Sequence, residues 1–154
     1  MNKSTTRSDG FSIRGVIIVE TRDAVTGELI PQESSINENI VTNVGLPELL
    51  RLINLGASVT GYEIGVGTST TTPAATDTAL GASVLQSAIT TRSLSGTTLT
   101  FKLFIDNGEA NGNTLTEAGL FHDSVLIDHA LFAASIVKTS AKNVTVTIQL
   151  TLSR

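Results

Sequence analysis

NVTVTIQLTL, residues 143–152, places Val144, Val146, Ile148, Leu150 and Leu152 in alternation with Thr145, Thr147, Gln149 and Thr151. Successive side chains of an extended strand point to opposite faces, so a period of two puts all five aliphatic residues on one face and the hydroxyl and amide groups on the other. A helix would scatter the same residues around its axis. The stretch is therefore a half-buried strand. Such a strand belongs to an antiparallel sheet with one face on a core and one face toward water.

The same texture extends toward the N-terminus. In TTLTFKLFID (97–106), Leu99, Phe101, Leu103 and Ile105 alternate with Thr98, Thr100 and Lys102. SAITTRSL (87–94) precedes it through a Ser95-Gly96 turn, and the pair reads as a hairpin. NGEANGN (107–113) reads as a hairpin loop, TLTEAGLF (114–121) as a strand, His122-Asp123-Ser124 as a turn, and VLIDHALFAASIV (125–137) as mainly strand despite its alanines. YEIGVG (62–67) is a short strand. FSIRGVIIVETRD (11–23), the turn Ala24-Val25-Thr26-Gly27 and ELIPQESS (28–35) read as a further hairpin; Pro31, lacking an amide hydrogen, places its second strand at an edge or a bulge.

One segment has helical spacing. In NVGLPELLRLINLG (43–56), Leu46, Leu49, Leu50 and Ile53 fall on one face, which predicts an amphipathic helix with that face buried. Its punctuation agrees: Thr42 or Asn43 caps the start, Pro47 and Glu48 suit the first turn, and Gly56 suits the stop. About seven strands and one helix predict a mainly β chain, an antiparallel β-sandwich of jelly-roll-like or Ig-like type. We expect one domain over 11–154, preceded by an N-terminal arm, flexible or docking, over 1–10.

Bulk properties agree with a single domain and narrow its partners. At 154 residues the chain is long enough for one core. Charged residues are only 16% of it, which leaves surface for contact with other subunits. A net charge of -4 with ten scattered basic residues argues against binding nucleic acid through its phosphates. Cysteine is absent, which excludes disulfides and thiolate metal sites. The polar start MNKSTTRSDG has no signal-peptide apolar region, and VLIDHALFAASIV is too short and too polar to cross a bilayer, so no membrane insertion is expected.

The search for reactive chemistry gives structural answers. GVGTSTTTPAATDTALG (65–81) has Gly65 and Gly67 at a strand end but neither the Lys-Ser/Thr pair of a P-loop nor a third glycine opening a helix. It reads as an extended loop stiffened by Pro73, with Asp77 accepting from the Thr78 or Ala79 amide in an Asx-type turn. DNGEANGN (106–113) lacks the spacing of an EF-hand, so a plain loop is the better reading and a weak calcium site the other. Glu117, a carboxylate in an apolar strand, must find donors, and a neighbouring loop's amides are the expected ones; a catalytic acid is the alternative. His122 beside Asp123 reads as a solvated turn pair, and His129 as a hydrogen-bonded structural imidazole. Two histidines seven apart make no transition-metal signature, and no G-x-S-x-G elbow presents a serine. No catalytic residue, metal or cofactor is expected.

Taken in order, the TGE turn, NIVTNVGLPELLRLI, IGVGTSTTTPAATDTALGASV, GNTLTEAGLF and the strand after SIVKTSAKNV resemble phage virion proteins of the tail-collar and tail-fibre attachment type, over about Val16 to Leu152. The more specific blocks are the Gly65/Gly67 pair with TTPAATDTAL, and EAGLF with Lys138 downstream. The resemblance implies a non-enzymatic module of an appendage, made in the bacterial host cytoplasm and located in the virion. It implies as partners other copies of the chain, as a trimer, other virion proteins and, at a fibre tip, a host surface receptor. Members of this family usually continue into a shaft and tip, whereas this sequence stops at Arg154, so a capsid decoration or head-fibre protein is the alternative. On this reading Gly65, Gly67, Pro73, Asp77, Glu117 and Lys138 serve architecture and assembly.

Overall fold

The structure, a computed structural model, describes Gly10 and residues 12–55 and 60–154. Its strands are β1 (Ser12–Asp23), β2 (Ser35–Val41), β3 (Tyr62–Gly67), β4 (Ser83–Ala88), β5 (Thr91–Ser95), β6 (Thr98–Ile105), β7 (Thr114–His122), β8 (Val125–Val137) and β9 (Lys142–Ser153), with one helix, α1 (Gly45–Leu55). The chain is mainly β, and the described strands number nine rather than about seven. All of them join one antiparallel sheet in the order β4-β3-β7-β8-β2-β1-β9-β6-β5, curled into a half-barrel.

The residues 143–152 lie at the centre of one half. β9 pairs with β1 from Ser12↔Ser153 to Asp23↔Lys142 and with β6 from Thr98↔Thr151 to Ile105↔Val144. Alternation in the three strands stays in phase, so Ile17, Ile148 and Phe101 form one buried row and Val19, Val146 and Leu103 the next. Ile18, Thr147 and Lys102 form a row on the opposite face.

The other half comprises β4, β3, β7 and β8. The halves meet at β2, which pairs with β1 over Gly15↔Asn39 to Val19↔Ser35 but with β8 only at Ile40↔His129 and Val41↔Asp128. The sheet turns at that short joint. Its two inner faces thereby share one core, with Ile64, Leu120 and Ile127 from one half packed with Phe101, Val146 and Ile148 from the other.

Several sequence expectations change in detail. ELIPQESS forms no long strand: Pro31 opens a 3-10 turn over Pro31–Glu33 rather than sitting at a sheet edge, and the partner of β1 is the following segment. Thr21 explains why pairing stops, because its amide donates to Ser34 Oγ (3.0 Å) and its hydroxyl to the Glu33 carbonyl (2.8 Å). SAITTRSL is shared by two strands at opposite ends of the sheet. The Ile89 amide bonds the Tyr62 carbonyl (3.2 Å) and the Thr90 amide bonds the Lys102 carbonyl (2.6 Å), so the chain steps from the β3 side to the β6 side between these residues.

The 107–113 segment is a crossover between half-sheets, not a hairpin loop, since β6 and β7 do not pair with each other. The turns expected at Ser95-Gly96 and at 122–124 are present. Asp123 and Ser124 both have positive φ (45° and 69°), the requirement of a two-residue type I′ hairpin loop.

In α1 the apolar face is turned. Thr42 caps the helix, its Oγ1 accepting the Gly45 amide (2.9 Å) and donating to the Leu126 carbonyl (2.5 Å). A Cβ on Gly45 would stand 2.6 Å from Ile127 Cα, so the missing side chain is what lets the helix lie on β8. Gly45, Glu48 and Leu52 consequently face inward with Leu49 half-buried, while Leu46 and Leu50 are 43% and 68% exposed. The expected contribution of Ile53, the stop at Gly56 and the 1–10 arm other than Gly10 lie outside what is described. Among the described residues no helix is long and apolar enough to cross a membrane.

Candidate functional site

The segment 68–82 leaves β3 at Gly67, returns at Ser83 and is closed at its neck by the Thr68 amide on the Ala82 carbonyl (2.9 Å). It folds back over the face of β3, β7 and β8 that is turned away from the main core. Gly65 and Gly119, paired in register, make part of the floor flat. A Cβ at Gly65 would meet Leu80 Cδ1 and Phe121 Cε2 at 3.0 Å, and Leu80, Phe121 and Leu126 form a small second cluster there.

Glu117 fastens this loop. Its carboxylate is fully buried, with Oε1 accepting the Ala82 and Ser69 amides (2.8 and 3.2 Å) and Oε2 accepting the Gly81 amide (3.0 Å). Three backbone donors replace the water that the charge gave up, as a buried carboxylate requires. The neighbouring Thr116 hydroxyl adds a bond to the Ser69 carbonyl (2.7 Å). Gly67 is glycine for this site's sake, since a Cβ there would meet Glu117 Oε1 and the Ala82 carbonyl.

His129 completes the latch. Its Nε2 lies 2.8 Å from Glu117 Oε2 and its Nδ1 2.8 Å from Asp77 Oδ2. The ring thus bridges a carboxyl group of the loop and one of β7. Asp77 also accepts the Ala74 amide (2.8 Å), and that bond is the main reason its carboxyl is held below the ordinary range, with His129 adding to it. The donor is three residues before Asp77, not at Thr78 or Ala79 as the sequence suggested. The Asn43 amide on the Ala75 carbonyl (2.7 Å) ties the loop to the start of α1.

A shallow pocket of about 150 Å³ opens beside the latch, lined in part by Ser69, Thr71, Thr72, Asp77 and His129. Both nitrogens of His129 are engaged by carboxyl groups, so neither faces the pocket free to take a proton from a hydroxyl. The geometry fixes a loop in place.

His122 lies in a second cluster and is buried, not solvated. Nδ1 is 2.6 Å from Glu48 Oε1 and Nε2 is 2.8 Å from the Thr60 carbonyl. Arg51 forks onto Glu48 (2.6 and 2.8 Å), and its Nη2 also lies 3.4 Å from Asp123 Oδ2. Donor atoms of Glu48, His122 and Asp123 all fall within 4.8 Å of one another, and the guanidinium of Arg51 supplies the cation at their focus. The Arg51 bonds are the main reason the Glu48 carboxyl is held down. The cluster pins α1 to the β7–β8 turn.

Lys138 stands apart, under the 107–113 crossover. It is fully buried, and Nζ donates to Asn111 Oδ1 (3.1 Å) and the Thr139 carbonyl (3.3 Å); burial pushes its ammonium down. In that crossover Asp106 Oδ1 accepts the Gly108 amide (2.6 Å) and Glu109 Oε2 the Asp106 amide (3.1 Å), so these oxygens cap their own turn.

The structure thus brings Gly65, Gly67, Asp77 and Glu117 together, keeps Pro73 within the same loop, and leaves Lys138 elsewhere. Sequence reasoning missed the linking role of His129 and the partnership of Glu48, Arg51 and His122. The available signal was a histidine inside an apolar strand, which must find two partners. Comparisons with protein-family models, with curated proteins and with solved structures give no match to this chain.

Proposed function

We propose that the chain is a non-enzymatic structural module of a phage particle, a tail fibre, collar or other appendage component that assembles through its sheet surfaces and loops. One observation carries the reading. The two blocks that give the resemblance its specificity, GVGTSTTTPAATDTAL and EAGLF, meet in space, where Glu117 of the second holds the backbone of the first. The acidic group is thereby spent on architecture. The half-sheets stacked on one core act as a sandwich-like unit in this role.

Surface composition supports assembly. The outer face of β1, β2, β6 and β9 carries threonine rows with Ile36 and Phe104 exposed among them, and most of its charges are already matched in the pairs Arg14–Glu38 and Arg22–Glu20. Many copies related by symmetry turn modest contacts into a stable structure.

The test is the mass of the purified chain in solution together with antibody labelling of particles. A threefold mass and label on the tail support the proposal, and label spread over the head moves the module to a capsid decoration. A monomer that attaches to no particle and turns over a small molecule sinks it.

A further inference from the structure

Asp128 occupies the joint between the half-sheets. It is fully buried, paired with Val41 in one of the two β2–β8 register positions, and its carboxyl bridges the strands on either side. Oδ1 accepts the Leu120 amide of β7 (3.2 Å) and Oδ2 accepts Asn39 Nδ2 of β2 (2.7 Å). The other end of that amide, Asn39 Oδ1, is buried and has no hydrogen-bond partner. Asn39 lies flat on Gly15, in space that any larger residue would fill.

Among the described residues no charge neutralises Asp128. On β7, Glu117 is bound to His129 and three amides on the opposite face, and His122 is bound to Glu48 of α1, which also holds Arg51. Glu38 of β2 pairs with Arg14 of β1 at the surface, Glu20 pairs with Arg22, and Glu33 of the 3-10 turn pairs with Lys142. Desolvation therefore dominates, and burial pushes the Asp128 carboxyl up to about 7, against the Leu120 amide bond that lowers it.

We propose that Asp128 and Asn39 form a proton-operated switch at the joint between the two half-sheets, in which gain of a proton by Asp128 turns over the Asn39 amide and exchanges the atom that bridges β2 to β8. The logic is one of donors. Oδ1 faces a backbone N–H that cannot reverse, so the proton goes to Oδ2, where it meets the Nδ2 hydrogens. Two donors then face each other. Rotation of the amide by half a turn presents Oδ1 as acceptor and moves Nδ2 to the position against Gly15. The joint is the place where such a change acts, because two register pairs, this contact and the Asn37 amide on the Leu131 carbonyl hold β2 to β8, and the chain runs on from Val41 to the cap of α1. This device is independent of the proposed role in a particle.

The sign follows from linkage. The folded chain keeps a proton on Asp128 at pH values where the unfolded chain has lost it. Stability therefore falls as pH rises from the ordinary carboxylate range to about 7, and levels off above.

The experiment is an NMR titration of the full chain from pH 5 to pH 8.5, following the Asp128 carboxyl carbon and the Asn39 side-chain amide, with hydrogen exchange at the Thr42 amide, which bonds the Ile127 carbonyl across the joint. We expect the three signals to share one midpoint near neutrality and the Asn39 response to vanish in Asp128→Asn. An Asp128 midpoint in the ordinary carboxylate range, an Asn39 amide that ignores the titration, or an Asn39 response that survives in Asp128→Asn overturns the switch. Should the variant not fold, the two midpoints in the unaltered chain decide the matter.

Discussion

Glu117 Oε2 and His129 Nε2 lie 2.8 Å apart beneath the 68–82 loop, and the remaining acceptor positions of that carboxylate are taken by the amides of Ser69, Gly81 and Ala82. A glutamine at 117 would turn a donor toward this ring of donors, leaving a buried amide or His129 short of a partner. Breaking a buried pair from one side costs about 3–5 kcal/mol. Glu117→Gln is expected to lose that much in urea denaturation, and limited proteolysis should cut first within 68–82. Loss of less than about 0.5 kcal/mol, the range of an ordinary surface change, would show that the loop is held by something else.

Gly67 tests the same contact from the other side. Its φ is not in the left-handed region, so alanine there costs nothing in backbone strain and the whole effect is the collision with Glu117 and the Ala82 carbonyl. Overpacking of this kind costs about 1–3 kcal/mol. Gly67→Ala should be destabilised by that amount in the unaltered chain and by less in a Glu117→Ala background, where one of the two obstacles is gone. Strict additivity in this double-mutant cycle would exclude a shared contact.

The helix offers a comparison between leucines two residues apart. Leu52 is buried and Leu50 is 68% exposed, although the 3.6-residue period taken alone favours Leu50 for the core. Leu52→Ala is expected to cost about 2–5 kcal/mol and Leu50→Ala less than about 0.5 kcal/mol in chemical denaturation. The opposite order would restore the face read from sequence.

The strands were legible where one face alone is buried, as in 98–105 and 144–152, because alternation then records the geometry directly. Alternation failed in β8, which has the main core on one face and the 68–82 loop on the other, so that Leu126 to Ala130 are all buried. β2 was missed because SINENIV has polar residues on its inner side: Asn37 bonds the Leu131 carbonyl and Asn39 bonds Asp128. The helix face was misjudged because periodicity offers two adjacent stripes, and the choice between them was made by Gly45 against Ile127, a contact between segments 82 residues apart. At the candidate site Glu117 announced its need for donors. The identity of the bridge did not follow, since Asp77 and His129 meet only when the loop has folded back.

Asp77 gives the latch a dependence on pH that differs in sign from that of Asp128. Its carboxyl is held below the ordinary value first by the Ala74 amide and then by His129, so the folded state favours the charged form. A group depressed on folding contributes stability that is fully present above the unfolded value, about 3.9, and is lost as pH falls through the folded value. Asp77→Asn keeps an oxygen for Ala74 but removes the charge facing His129 Nδ1. The variant should therefore be less stable than the unaltered chain at pH 6, and the gap should narrow toward pH 2.5 as falling pH carries the aspartate toward its protonated form. Urea midpoints at the two pH values measure the difference. Since Asp128 titrates in both proteins, its effect cancels in the comparison. A gap between variant and parent that is as wide at pH 2.5 as at pH 6 would mean that Asp77 acts through its shape and not through its charge.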